Sequence, residues 1–345
     1  MFRQSFFAGV SLALLVGAAP PPTDPVHDFG VRESIEGISL SPSGSKVAFI
    51  SPEKGQANVL YTVDLADGVP RRTLSSSGDP DRLSWCRWVS DARLACNAYL
   101  LMLDDNELIP FTRMVAIDAG GGNIKLLTRE QREGDLAIAL GGGQVIDWLP
   151  QSDGAVLIAR TYVPEAKTGS NIQDRREGFG VDRLDTRTLS SKVVEPPKSS
   201  AVEYISDGLG NVRIMGVSPA GANGQATGIV DYQYRAEGSH DWKRLGTYNS
   251  VTDEGFDPYA VDPALDVAYG FRKKDGRFAL YTVALDGSGT EKLVFAHPEV
   301  DVDGLVRIGR NRRVVGVTFA TDKRQAVYFD KELAGLAASL SKVTP

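Results

Sequence analysis

Residues 41–50, SPSGSKVAFI, place a Ser/Pro/Gly turn directly before a run of β-branched and aromatic residues. Pro and Gly suit the backbone angles of tight turns, and Val, Phe and Ile favour strands. The stretch therefore predicts the turn and second strand of a β-hairpin. Similar turn clusters begin at residues 41, 90, 150, 207, 262 and 309, and an apolar strand follows each of them.

A second series of strands lies between these turns, and each of its members ends in an acidic residue. The members are 60–64, 114–118, 181–185, 280–286 and 327–330. A further strand then closes the unit, for example 124–128 and 291–295. Two hairpins in each repeat of about 50 residues make four strands, which is the pattern of β-propeller blades. We therefore predict an all-β propeller with about six blades over residues 35–330; a β-sandwich is the alternative, but it does not explain six copies at one spacing.

The last repeat differs from the others because three strands are followed by a helical pattern. Residues 331–345 begin with apolar positions at helical spacing, which predicts a short amphipathic helix with Asp330 as its N-cap. A blade without a fourth strand leaves an open edge. We therefore expect a truncated piece of a longer protein with an open ring, or a last blade completed by residues 23–34.

The N-terminus has the order of a secretory signal peptide. Arg3 precedes the apolar run 6–16, and small residues at 17–19 precede three prolines. The run is shorter than the roughly 20 apolar residues of a membrane-spanning helix, so an uncleaved anchor is the weaker alternative. We predict a signal peptide at 1–19, a Pro-rich leader at 20–34, a periplasmic or secreted location, and no stable membrane span after cleavage.

The composition excludes two classes of protein. Of the 345 residues 42% are hydrophobic, which is enough for a packed core and argues against disorder. The formal charge of −6 leaves no basic surplus to neutralise phosphates, so we expect no nucleic-acid partner. The three histidines lack ligand spacing, and we expect neither a metal site nor a cofactor.

Cys86 and Cys96 are the two cysteines of the chain. If the hairpin turn centres on Asp91, paired residues have numbers that sum to 182, and the two cysteines lie directly opposite each other. This register predicts a disulfide. A two-residue turn at Asp91 and Ala92 would shift the sum to 183 and separate them.

The insertion 164–177 between the second and third strands of blade three carries the candidate binding residues Asp174, Arg175, Arg176 and Glu177. Charged loops on one propeller face commonly meet a partner or substrate, and a solvated loop is the alternative. Four arginines near the last turn form a second basic cluster: Arg307, Arg310, Arg312 and Arg313. Arg310 and Arg312 belong to a turn on the opposite face, so we do not expect them to join the insertion.

Three segments resemble the N-terminal propeller of exported bacterial prolyl-oligopeptidase-type (S9) serine peptidases: 41–49, 85–96 and 297–306. The resemblance covers about residues 30–340, and it implies a seven-bladed full fold. In that family the propeller is a gating and docking domain, while an α/β-hydrolase domain carries the catalytic Ser in a G-x-S-x-G turn. The sequence contains no G-x-S-x-G, so no catalytic residue is assigned.

The resemblance thus implies the non-catalytic propeller portion of such a peptidase, with a peptide or a docked hydrolase domain as partner. Two alternatives stay open. One is a stand-alone periplasmic TolB-like (WD40-like) binding module, and the other is a complete S9 peptidase whose sequence ends early here.

Overall fold

The computed structural model describes residues 30–152, 154–166, 174–221, 225 and 227–343. The chain divides into two compact units, Met1–Ser34 and Ile35–Pro345. The predicted signal peptide 1–19, and all of the leader before residue 30, lie outside the described residues. In the described part of the chain, no helix has the length and apolar character needed to cross a membrane.

The second unit consists of six antiparallel sheets, which are the blades of a propeller. Blade one contains β1 (Glu36–Leu40), β2 (Lys46–Pro52), β3 (Asn58–Asp64) and β4 (Pro70–Ser76); blade two contains β5 (Asp81–Ser90), β6 (Arg93–Asp104), β7 (Glu107–Asp118) and β8 (Lys125–Leu126). Blade three contains β9 (Gln144–Asp147), β10 (Ala155–Tyr162), β11 (Gly178–Asp185) and β12 (Ser191–Lys198); blade four contains β13 (Ala201–Ser206), β14 (Val212–Val217), β15 (Ile229–Tyr234), β16 (Lys243–Asn249) and β17 (Glu254–Gly255). Blade five contains β18 (Asp257–Asp262), β19 (Val267–Lys274), β20 (Arg277–Ala284) and β21 (Glu291–Phe295); blade six contains β22 (Val302–Ile308), β23 (Arg313–Ala320) and β24 (Arg324–Tyr328).

The propeller prediction is confirmed, and all six predicted turn clusters join the first and second strands of a blade. In each blade the strands follow chain order across the sheet, with an added short strand in blade four and three strands in blade six. We call the end of the blades that carries these first turns the turn face. The second turns, between strands two and three, lie at the other end of each sheet because the strands are antiparallel.

The core consists of five hydrophobic clusters, each between two successive blades. Leu60 of blade one packs with Leu94 of blade two, for example, and Leu280 of blade five packs with Val317 of blade six. Strand side chains alternate between the two faces of a sheet, so each inner blade contributes to two clusters. The described residues form no comparable cluster between blade six and blade one.

The helix predicted after blade six is α1 (Lys331–Leu340). The Asp330 carboxylate accepts hydrogen bonds from the backbone N–H of Glu332 at 2.9 Å and of Leu333 at 3.3 Å. Asp330 thereby satisfies two of the backbone donors that a helix start leaves free, and its role as the N-cap is confirmed.

Candidate functional site

The inner strands of blades three to six enclose a cavity of about 160 Å³ at the turn face, in the channel of the ring. Its lining comes from β9, β13, β18 and β22 and from the turn after β22. Each blade contributes its first strand because that strand is innermost in a propeller. The charged residues that line the cavity are Asp147, Glu203, Arg307, Arg310 and Arg312.

Arg310 connects blade six to blades two and three. Its guanidinium donates hydrogen bonds to the carbonyl oxygens of Trp88 at 3.1 Å, Val89 at 2.7 Å and Trp148 at 3.1 Å. Burial lowers the pKa of Arg310, whereas the charges of Asp91 and Asp147 act in the opposite direction. Arg310 is therefore a structural residue, with its donors turned to the backbone.

Arg307 and Arg312 have different surroundings from Arg310. Arg307 donates one hydrogen bond to the carbonyl oxygen of Tyr259 at 2.7 Å, and burial lowers its pKa. Burial lowers the pKa of Arg312 to about 10, and the positive charges of Arg307 and Arg87 add to the effect. Among the described residues, none of these three arginines forms an ion pair with a carboxylate.

A buried tyrosine lies between two carboxylates where blade four packs on blade five. The Tyr232 hydroxyl lies 2.9 Å from Glu203 Oε2 and 3.0 Å from Asp257 Oδ1. Burial raises the pKa of both acids, and the charge of Asp257 raises the pKa of Glu203 further. Burial, followed by the charge of Asp257, also raises the pKa of Tyr259 to about 12. These groups hold protons more tightly than exposed ones do.

Asp147 holds the turn of the next blade in place. Its carboxylate accepts hydrogen bonds from the backbone N–H of Leu149 at 2.8 Å and of Gly210 at 2.9 Å. Burial nevertheless raises its pKa. The side chain links blades three and four, and both of its oxygens are engaged.

The predicted binding residues lie at the other end of blade three, between β10 and β11. Asp174 and Arg176 bond to each other, with Nη2 at 2.8 Å from Oδ2, and this contact is the main reason why the pKa of Asp174 falls to about 2. The Arg176 guanidinium stacks on the Tyr162 ring at 4.8 Å. Arg175 and Glu177 are exposed beside an open hollow formed with residues 193–200. Their role in binding stays a prediction.

The predicted disulfide is present. Cys86 and Cys96 are directly paired across β5 and β6, with a Cα–Cα distance of 4.1 Å. Both side chains are buried between blades one and two. The bond therefore lies in the core and does not belong to the channel.

Two of the three histidines are described. His297 Nδ1 accepts hydrogen bonds from the backbone N–H of Glu299 and of Val300, while His240 lies in the loop between β15 and β16. His27 lies outside the described residues. No group of three or more His, Cys, Asp or Glu residues in the described ranges is arranged to hold a metal ion.

No protein-family model and no curated protein matches this chain. Among solved structures, the Pyrococcus horikoshii acylaminoacyl peptidase is 12% identical with a TM-score of 0.46, over 88% of this chain and 46% of that chain. The β-propeller domain of the trilobed protease from Pyrococcus furiosus is 13% identical with a TM-score of 0.47, over 87% of this chain and 80% of that chain. TolB from Acinetobacter baumannii is 13% identical with a TM-score of 0.28, over 73% of this chain and 52% of that chain.

The solved structures to which this chain is similar include S9-type peptidases, the family that the sequence was predicted to resemble. The chain spans about half the length of the acylaminoacyl peptidase. Identities of 12% and 13% concern the fold alone, so no residue role is transferred from these proteins.

The basic cluster around residue 310 was predicted from the sequence, but its position beside the channel cavity was not. No local signal marks this position, because Arg310 contacts blades two and three only when the blades pack together. The cluster of Glu203, Tyr232 and Asp257 was missed entirely. Its members come from three strands of two blades, and only the packing of blade four on blade five brings them together.

Proposed function

We propose that the chain is the non-catalytic gating or docking propeller of an exported S9-type serine peptidase. The observation that carries the proposal is the hairpin of β6 and β7, the two longest strands of the ring. β5 pairs with β6 only as far as Leu100, and β8 pairs with β7 only at Val115 and Ala116. Residues 101–110 are therefore paired with each other alone.

The end of this hairpin is apolar and exposed. Leu103 and Leu108 form a cross-strand pair with 68% and 65% of their surface accessible, and Leu101 and Met102 are exposed beside them. The surface of a soluble protein seldom exposes several large apolar side chains in one patch, and such patches mark sites of protein–protein contact. The hairpin end lies away from the turn face, on the same side as residues 164–166 and 174–177, the described ends of the insertion.

A non-catalytic role is supported by the sequence, which lacks the G-x-S-x-G turn of an α/β-hydrolase. We expect the purified protein to show no turnover of peptidyl or acyl esters above the buffer rate, and no labelling by a serine-directed fluorophosphonate. Stoichiometric labelling together with turnover would overturn this part of the proposal.

The docking partner proposed for the hairpin is a serine hydrolase domain. A photo-crosslinking residue at position 103 should join the chain in cells to a protein that a fluorophosphonate also labels. The same residue at position 265, in the equally exposed first turn of blade five, is the control and should not form this product. Absence of a labelled product from position 103 would contradict docking by this hairpin.

Export and truncation are further parts of the proposal. The N-terminal sequence pattern and the Cys86–Cys96 bond support an oxidising compartment. Edman sequencing of protein from the periplasm or medium should give a start near residue 20, and an intact start at Met1 in the cytoplasm would refute export.

The three-stranded blade six supports truncation. An in-frame hydrolase domain downstream of codon 345 would establish it, whereas an immediate stop codon would refute it.

A stand-alone TolB-like binding module is the second candidate, and the channel cavity favours it. In that case the ring binds its ligand without a hydrolase. A monomer that forms no fluorophosphonate-labelled product from position 103, and binds a ligand in the channel, would establish this alternative.

A further inference from the structure

Two arginines of blade six, Arg307 and Arg312, line the channel cavity, and Arg87 of blade two lies near Arg312. Arg87 lies on β5 of blade two, whereas Arg307 and Arg312 lie on or beside β22 of blade six. Both Arg87 and Arg307 are close enough to Arg312 for their charges to disfavour its protonated form. Like charges repel strongly in a partly buried site, so this arrangement costs free energy unless an anion lies between them.

The hydrogen bonding of the three side chains leaves donors available. Arg307 uses Nη2 for the Tyr259 carbonyl oxygen. Among the described residues, the guanidiniums of Arg87 and Arg312 donate no hydrogen bond. A guanidinium carries five N–H donors, so the three together have most of their donors free for a ligand.

The acids of the same cavity bond to groups other than these arginines. Glu203 bonds to Tyr232, and Asp147 bonds to two backbone N–H groups. Neither acid forms an ion pair with Arg87, Arg307 or Arg312 within the described part of the chain. The arginine side of the cavity is therefore the side that lacks partners.

We propose that Arg307 and Arg312, which line the cavity, form with the nearby Arg87 a binding site for a small oxyanion, a carboxylate or phosphate group that enters the channel from the turn face. The fork of a guanidinium matches the two oxygens of such a group. The cavity of about 160 Å³ has room for a group of this size. The inference rests on the proposed function in one respect: it takes the ring to be a scaffold that binds other molecules.

The test is calorimetric titration of the purified protein, at low ionic strength, with succinate and separately with inorganic phosphate. We expect saturable binding of at least one of them and none of dimethyl succinate, which lacks the charge. Stronger binding of succinate would assign the site to carboxylates, and stronger binding of phosphate would assign it to phosphoryl groups.

Two variants remove site residues, R87Q and R312Q, and each should weaken binding about tenfold, the effect of losing one charge-assisted contact. The matched control is R324Q. It removes a charge from blade six, the blade of Arg312, at a position where Arg324 pairs with Asp303 at 2.8 Å. It should change affinity less than twofold. Arg312 has a positive φ of 54°, so if R312Q fails to fold, the exposed Arg87 decides the test.

Absence of saturable binding of both anions by the wild-type protein would overturn the proposal, as would equal weakening in R324Q and R87Q. Either result leaves docking by the hairpin of β6 and β7 untouched, because crosslinking from position 103 measures that separately.

Discussion

Arg310 Nη2 lies 2.7 Å from the carbonyl oxygen of Val89, so a side chain of the last blade bonds to the backbone of the second. The contact occurs at a β-bulge, where the pairing of β5 with β6 shifts between Trp88 and Ser90. A bulged residue is left out of the regular ladder and its polar groups need other partners. Arg310 supplies one of them from across the channel.

Replacing Arg310 with methionine should lower the free energy of unfolding by about 2–3 kcal/mol, because three carbonyl oxygens lose a charged donor. Urea unfolding followed by fluorescence measures the change. The control R324M removes an exposed arginine of the same blade and should cost less than about 1 kcal/mol. Equal costs for the two variants would show that the contacts of Arg310 add nothing.

The same bulge explains why the sequence predicted the cysteine pairing correctly. The turn contains two residues, since Ser90 pairs with Arg93, and this register alone would place Cys86 opposite Asn97. The extra residue Val89 shifts the pairing by one, which returns Cys86 to Cys96. The predicted turn centred on Asp91 was therefore wrong, and the predicted pair is correct because the bulge offsets that error. The bulge depends on packing around blade two and could not be read from spacing.

Replacing both Cys86 and Cys96 with alanine should destabilise the protein by about 2–3 kcal/mol, since the bond closes a short loop in the unfolded chain. The free energy of unfolding of the variant, compared with that of the oxidised wild type, measures the effect. The reduced wild type serves as the control for lost side-chain volume. If mass spectrometry of a non-reduced digest finds two alkylatable thiols, the bond is absent in solution.

The repeat pattern was sufficient to predict the blades, because turn chemistry and strand propensity are local. The channel could not be predicted in the same way. Glu203 and Asp257 meet through Tyr232 only after two blades pack, and Arg312 approaches Arg87 only when blade six comes close to blade two. Contacts between distant blades depend on how all six blades are arranged, which no single repeat encodes.

Blade one has an apolar face that no described blade covers. Ile38 and Leu40 are paired across the strand with Phe49 and Val47, on the side away from blade two, and 70% and 60% of their surface is accessible. We expect the double variant I38T/L40T to aggregate more slowly, as exposed apolar faces promote association. Its free energy of unfolding should change by less than about 1 kcal/mol, because exposed side chains contribute little.

Light scattering at constant temperature and concentration measures the rate of aggregation. The control is L265T, which removes an exposed leucine from a turn of blade five. If L265T slows aggregation as much as I38T/L40T does, general surface hydrophobicity is responsible and the face of blade one has no special role.

The Tyr232 hydroxyl has one proton for two carboxylates, so it donates to either Glu203 or Asp257, and the other contact requires a protonated acid. Burial raises the folded-state pKa of Glu203 above its ordinary value of 4.5. Below 4.5 the residue is protonated in both states, whereas between 4.5 and the folded pKa the unfolded state loses its proton first. Wild-type stability should therefore fall as the pH rises through this window.

In E203Q the amide can donate to the tyrosine oxygen at every pH, so this loss disappears. We expect the free energy of unfolding of E203Q, relative to wild type, to increase by about 1 kcal/mol between acidic and neutral pH. Asp257 titrates in both proteins and is coupled to Glu203 by charge and through Tyr232, so the comparison measures the titration of the pair. E254Q, at an exposed position of blade four, is the control. Parallel stability curves for E203Q and wild type from pH 4 to pH 8, measured by urea unfolding, would show that Glu203 is ionised in the folded protein at no cost.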